Sequence, residues 1–282
     1  MPELPEVETI KNEIAPHLIG RHIKAVTVLW DKTVKEPPVA EFRARLAGRK
    51  IRDLNRRGKY LLIGLDHADT LIVHLKMTGS LLLQNSRAEP PLYTRAVLHL
   101  DDGNNVYFRD PRKFGRLWLV EDIESVVGNL GPEALGKELS PQKFTEIITR
   151  RKAPIKALLC DQTVLAGVGN LYADEADFLA GIHPERPGAS LTAAECRRLY
   201  KAIREVLLAG IKNKGASIVN YYRPDGSKGT AHSEFRVARR RGLPCFVCGT
   251  PIKRIVVRGR GTYFCPKCQN YNSKIKSQKS KT

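Results

Sequence analysis

The chain contains no uninterrupted apolar run approaching the ~20 residues that a helix needs to cross a bilayer. A secretory signal is equally missing, because the opening residues carry the acids Glu3, Glu6 and Glu8 in place of a basic start and an apolar core. Glycine and proline, 22 and 17 of 282 residues, are too few for a disordered chain. Acidic residues are the scarce class: 29 Asp and Glu stand against 48 Lys and Arg, for a formal net charge of +19. This imbalance is silent about fold but favours a polyanionic partner, nucleic acid ahead of an anionic membrane surface. The expectation is a soluble, cytoplasmic protein whose length suits two domains, each with its own core.

Of the six cysteines, four form two close pairs near the C-terminus. Cys245 and Cys248 lie three apart, as do Cys265 and Cys268, and the stretch between the pairs is long enough for a β-hairpin. Four thiolates at this spacing predict one tetrahedral zinc ion with no open position for water, hence a structural ion. Cys160 and Cys196 fall in helical patterns and are expected to be buried as small apolar residues. Lys253, Arg254, Arg258 and Arg260 lie between the pairs, with Gly259 and Gly261 around Arg260. A basic hairpin tip can present a guanidinium to phosphates, or be simply a solvated basic face.

The opening Met1-Pro2-Glu3-Leu4-Pro5-Glu6 admits two readings. Proline suits a first helical turn, and Val7, Ile10, Ile14 and Leu18 supply one apolar helix face. Alternatively, loss of Met1 leaves Pro2 with a free secondary amine, whose class titrates near 8 and is partly neutral at pH 7. Such an amine can add to an aldehyde-level carbon and form an iminium that acts as an electron sink, with the Glu3 carboxyl placed for proton transfer.

From His22 to Val120 the pattern is one of short strands, with a strong hairpin signal at Asp101-Asp102-Gly103-Asn104. After Gly131-Pro132 the texture becomes helical, over about Pro141 to Arg151, Pro154 to Asp161, Asn170 to Ala180 and Thr192 to Lys212. The predicted fold class is α+β in two domains: an antiparallel β-sandwich flanked by helices, then a helical domain with a helix–two-turn–helix and a β-hairpin zinc finger. The predicted boundaries are 1–131 for the sandwich, 132–240 for the helical part, 241–270 for the zinc finger and 271–282 for a basic, disordered tail. The glycine-rich corner Gly167-Val168-Gly169-Asn170 is either a phosphate-binding helix start or a plain tight corner. The long segment from Lys214 to Glu234 has the character of a binding loop.

Pro2 to Thr9, together with Arg57-Gly58-Lys59-Tyr60, His74-Leu75-Lys76-Met77-Thr78-Gly79, Asp110-Pro111-Arg112-Lys113-Phe114-Gly115, Gly167 to Ala173, Gly259 to Thr262 and the four cysteines, resembles the formamidopyrimidine-DNA glycosylase/endonuclease VIII family. The landmarks occur in the family's order from Pro2 to about Gln269. The resemblance implies a bifunctional base-excision enzyme that removes oxidised purines from double-stranded DNA and nicks the strand at the abasic site. It implies a Schiff base on Pro2, Glu3 as proton donor, Lys59 as proton donor for β-elimination, and Arg260 as phosphate contact and proton donor for δ-elimination. It further implies that Met77, Arg112 and Phe114 fill the gap left by an everted nucleotide, with His74, Lys156 and Asn170 as further DNA contacts. A monomer associated with the nucleoid is expected.

Two positions depart from the family pattern. Thr78 stands where many members carry glutamate, and the Tyr221 to His232 loop, which caps the everted base in the family, lacks the expected aromatic-glutamine pair. Both bear on lesion preference rather than on the chemistry. Rival readings are an endonuclease VIII-like enzyme for oxidised pyrimidines, a non-catalytic zinc protein that binds DNA, and a tautomerase-like enzyme using Pro2 as base.

Overall fold

The computed structural model describes residues 1–218 and 221–271, so the basic tail expected over 271–282 lies, beyond Tyr271, outside the described residues. The chain divides into two compact units, residues 1–129 with 210–232, and residues 130–209 with the chain from Ser233 onward.

The first unit opens with helix α1 (Leu4–Leu18), followed by β1 (Ile23–Val28), β2 (Val34–Glu36), α2 (Val39–Leu46), β3 (Ile51–Arg57), β4 (Tyr60–Leu65), β5 (Thr70–His74), β6 (Ser80–Asn85), β7 (Thr94–Leu100), β8 (Asn104–Arg109), β9 (Arg116–Val120) and the short α3 (Glu124–Val127). One sheet has the order β1-β7-β8-β6, the other β2-β9-β5-β4-β3. All pairs are antiparallel except β2 with β9, which is parallel. Leu81, Leu98 and Phe108 of the first sheet and Leu61, Ile63, Leu71 and Leu117 of the second share one core, so the sheets form the predicted sandwich.

The predicted face of α1, Val7, Ile10, Ile14 and Leu18, is buried in that core. Each side chain contributes about 2 kcal/mol of burial, enough to keep the adjoining terminus from fraying. Pro16 sits within the last turn without ending the helix, and the Ile19 N–H closes it on the Ala15 carbonyl at 3.0 Å.

The second unit contains α4 (Pro141–Thr149), α5 (Ile155–Cys160), α6 (Asn170–Leu179), the hairpin strands β10 (Lys253–Val257) and β11 (Arg260–Phe264), and most of α7 (Ala193–Lys212). Ser140 caps α4 by accepting the Lys143 N–H at 3.1 Å. The sequence pattern predicts that 132–240 belongs together, whereas Gly210–His232 groups with the sandwich. The physical reason lies in α1: the Glu6 carboxylate accepts the Ala216 N–H at 2.8 Å, and the Tyr221 ring joins the sandwich core. Among the described residues no helix is long and apolar enough to cross a membrane.

Candidate functional site

Pro2 and Glu3 are buried at the start of α1, while Met1 is exposed. A capping box forms there, in which the Glu6 carboxylate accepts the Glu3 N–H at 2.7 Å. The second oxygen of the same carboxylate receives Ala216. Glu6 thereby fixes the peptide that follows Pro2.

Lys59 follows Gly58 in the two-residue turn between β3 and β4 and is 4% exposed. His74, at the end of β5, pairs across the sheet with Tyr60, their rings edge-on at 4.4 Å. Burial, helped by the ammonium groups of Lys76 and Lys59, pushes His74 down to about 3. Its Nδ1 accepts the Lys76 N–H at 2.9 Å, so the ring is neutral with its proton on Nε2. His74, expected to contact DNA, offers a single N–H donor and no charge.

Met77 and Phe114 are each 44% exposed, which separates them from the core. The Arg112 guanidinium lies 4.7 Å from the centre of the Phe114 ring. The loops that carry this trio are joined by fully buried Asp110. One of its oxygens accepts the Thr78 hydroxyl and the Arg112 N–H (3.3 Å), and the other accepts the Gly115 N–H at 2.7 Å. Gly79 closes the first loop on the Leu75 carbonyl at 2.9 Å, an approach that a Cβ would block at 2.5 Å. Lys76 and Lys113, beside the exposed side chains, have φ of 52° and 61°. Left-handed backbone at a non-glycine residue costs about 1–3 kcal/mol and gathers at functional loops.

In the second unit, Asn170 begins α6, but Gly169 is its cap. The Asn170 side chain instead donates to the Gly261 carbonyl at 2.8 Å. Lys156, expected on DNA, is fully buried: its ammonium is 2.5 Å from Asp174 and also donates to the Asn170 carbonyl. Burial pushes the lysine down, but the adjacent Asp174 outweighs it and holds the cation above its usual range. Asp174 accepts the Tyr263 N–H of β11 at 3.2 Å, and Glu175 accepts the N–H groups of Arg236, Val237 and Ala238, each at 2.8 Å. Helix α6 is therefore fastened to the hairpin and to the segment that leads into it.

The hairpin turns through Arg258 (φ 46°) and Gly259 (φ 77°), a mirror-image turn matched to strand twist. Arg260 follows, exposed, as the sequence pattern predicts for a basic tip. The sulfurs of Cys245, Cys248, Cys265 and Cys268 lie within 4.8 Å of one another. Tetrahedral zinc with bonds of about 2.3 Å requires sulfurs about 3.8 Å apart. The Cys245–Cys268 and Cys248–Cys265 separations are 3.9 and 3.5 Å, so the four cysteines fit one structural zinc ion. Cys160 and Cys196 are buried, as expected.

The structural roles of Asp110, Thr78 and Asp174 are not legible in the sequence, because Thr78 meets Asp110 from 32 residues away and Asp174 meets Lys156 and Tyr263 from 18 and 89 residues away. The one available signal was Asp110 itself, an acid inside a strand-ending Asp-Pro turn of an otherwise basic loop.

Three family models match the chain: "Formamidopyrimidine-DNA glycosylase N-terminal domain" over residues 1–117, "Formamidopyrimidine-DNA glycosylase H2TH domain" over 130–221 and "Zinc finger found in FPG and IleRS" over 242–270. The formamidopyrimidine-DNA glycosylase of Chloroflexus aurantiacus is 45% identical over 272 residues, covering 95% of this chain and 98% of that protein. The solved structure of the MutM (Fpg) protein from Thermus thermophilus is 42% identical with a TM-score of 0.87, covering 95% of this chain and 98% of that one. A Lactococcus lactis Fpg mutant in complex with a Fapy-dG containing DNA is 33% identical with a TM-score of 0.90, covering 95% of this chain and 100% of that one.

Proposed function

The chain belongs to the formamidopyrimidine-DNA glycosylase family, and on that premise we propose that it excises 8-oxoguanine and formamidopyrimidines from duplex DNA and then cuts the abasic strand by β,δ-elimination. The observation that carries the assignment of roles is the pinned N-terminus, in which buried Pro2 stands at the head of an anchored helix with Glu3 and Glu6 locked behind it.

With Met1 removed, the Pro2 nitrogen attacks C1′ of the everted nucleotide. The N–C1′ bond forms as the glycosidic bond breaks, and the base leaves with the electron pair and takes up the proton that the Pro2 nitrogen sheds. Glu3 protonates the ring oxygen as the sugar opens, leaving an iminium that cannot discharge by losing an N–H proton. This cation acidifies the C2′ hydrogens. Loss of one expels the 3′ phosphate, and a second elimination expels the 5′ phosphate. Lys59 serves the first elimination as proton donor, and Arg260 contacts phosphate and serves the second. Buried Lys59 lies beside neutral His74, so its amine is held at the site among groups that do not compete with it for a negative partner.

Eversion costs a few kcal/mol of stacking and pairing. Met77 and Phe114 offset this by entering the gap, while Arg112 offers hydrogen bonds to the orphaned base. The neutral His74 ring contributes an N–H to the backbone. Lys156 acts by holding Asn170 and Asp174, and Asn170 in turn supports the hairpin that presents Arg260. Zinc supplies no reaction chemistry; Cys245, Cys248, Cys265 and Cys268 hold it to shape that hairpin. The net charge of +19 supports a cytoplasmic monomer working on DNA, with affinity falling steeply as salt rises.

Borohydride should trap the protein covalently on a duplex with one 8-oxoguanine opposite cytosine, and Pro2→Gly should abolish trapping. A complex that survives Pro2→Gly unchanged, or wild-type protein that never traps, removes the Pro2 mechanism.

A further inference from the structure

The segment from Tyr221 to Asp225 is fastened by residues that the reaction scheme does not use. Arg223 Nε lies 3.1 and 3.0 Å from the two oxygens of Glu13, and its Nη2 lies 2.7 Å from one of them. The Leu83 N–H of β6 donates to the Pro224 carbonyl at 2.8 Å. The Arg109 guanidinium lies 5.5 Å from the Tyr222 ring centre and 5.7 Å from that of Tyr93, itself in a left-handed conformation with φ 67°.

Glu13 follows Glu6 by seven residues, two turns or about 10 Å along α1. Glu6 holds Ala216, and Glu13 holds Arg223. One helix thus grips the long segment at Ala216 and again at Arg223, and the same helix carries Pro2 at its head. The Glu13–Arg223 pair is two-pronged and three-quarters or more buried, with side-chain exposures of 18% and 25%. Such a charge-assisted pair fixes direction as well as distance. Nothing in the sugar chemistry needs an arginine there.

We propose that Glu13 and Arg223 are a specificity-determining clamp, presetting the Tyr221–Asp225 segment for an everted oxidised base. The proposal rests on the base-excision function above. Neither residue touches reacting atoms; both are positioning residues. A segment ordered in advance spares the base the entropic cost of ordering it. An abasic site offers no base to the segment, so elimination there should ignore the clamp.

The test is a double-mutant cycle with Glu13→Gln, Arg223→Gln and the pair together. Each variant is assayed for base excision from an 8-oxoguanine·cytosine duplex and for incision of the same duplex carrying a preformed abasic site. Each single variant should lower kcat/KM for excision about tenfold, and the double variant should fall well short of the product of the two losses, because Glu13 and Arg223 share their closest contact although Glu13 also meets Lys214 and Arg223 also meets Ser227 and Asp225. Abasic incision should stay within about twofold of wild type, which also reports that the variants fold. Arg223→Lys, which keeps the charge but not the fork, should lie between. Equal losses in both assays, additive losses in the double variant, or no loss of excision would each overturn the clamp. If wild type incises abasic DNA but excises no 8-oxoguanine, the base-excision reading fails and the clamp with it. If wild type does both and the variants match it, only the clamp fails.

Discussion

Replacing Asp110 by asparagine isolates the one carboxylate that joins the two loops bearing Met77, Arg112 and Phe114. The substitution keeps the volume of a side chain that is fully buried. It also replaces an acceptor oxygen by an NH2 group where every neighbour is a donor: the Gly115 N–H at 2.7 Å, the Arg112 N–H at 3.3 Å and the Thr78 hydroxyl. The best amide orientation leaves the oxygen on Gly115 and turns the Thr78 hydroxyl into an acceptor, so the Arg112 N–H keeps only its longer bond to that Thr78 oxygen, at 3.4 Å. Losing a charge-assisted bond costs about 1.5–3 kcal/mol and weakening the buried Arg112 donor about 1 kcal/mol more, so about 3 kcal/mol is a central value. That figure corresponds to about 150-fold in the population of the joined loops. It should fall mainly on local opening, because both loop tips are exposed and stability varies locally across a fold. Thr78→Val removes the bond to Asp110 and the long one from the Arg112 N–H, which keeps Asp110, and should shift the same population only about fivefold, for about 1 kcal/mol. The assay is single-turnover excision of 8-oxoguanine, run beside the fluorescence of a 2-aminopurine next to the lesion, which reports entry of the wedge. Slowing of both signals in the order Asp110→Asn, then Thr78→Val, is the expected result. Wedge entry and excision within about twofold of wild type in Asp110→Asn would refute the reasoning, since a loss of about 3 kcal/mol cannot hide in that margin.

His74 makes stability depend on acid in a defined direction. Above pH 6.5 neither the folded nor the unfolded chain protonates it; below, the unfolded chain takes up a proton that the folded one, held down to about 3, refuses. Stability should therefore be lost as pH falls from 6.5 toward 3, by about 2–3 kcal/mol at pH 4.5. His74→Gln should remove that part of the pH dependence in urea titrations, and an unchanged slope would sink the assignment. Stripping zinc with a chelator should free β10 and β11 and so release Tyr263 from Asp174 and Gly261 from Asn170. Hydrogen exchange should rise at residues 260–264 and 236–238 while the sandwich stays protected, and affinity for an 8-oxoguanine duplex should drop more than about tenfold. Zinc-free protein that binds this duplex normally would exclude the hairpin as a DNA grip.

Periodicity and covalent chemistry made much of the fold legible. The apolar stripe of α1, the Asp-Gly turn between β7 and β8 and the paired cysteines each follow from local rules, and the structure has all three. Strand β3 does not show, because a bulge between Ile51 and Asp53 places its buried residues, Ile51 and Leu54, three apart and breaks the alternation. The parallel β2–β9 pair is invisible for another reason: β2 has three residues and takes its place from a partner about 80 positions away. Lys156 shows the same limit at the site. A lysine just after Pro154 in a basic protein is expected in solvent or on phosphate, and only Asp174, brought close by the glycine-rich corner, explains its burial. The assignment of Gly210–His232 depends on Glu6 and Glu13, whose partners lie about 210 residues along the chain.

The twofold engagement of Glu6 constrains how this enzyme can be diversified. A single carboxylate holds both the amide after Pro2 and the backbone at Ala216. Substrate range and reactivity are therefore not independent modules: a swap of the 216–225 loop from a relative changes what Glu6 holds, and a retuned Glu6 moves both. A graft intended to alter lesion choice alone should keep Ala216 with its N–H on Glu6, and begin its exchange after that residue.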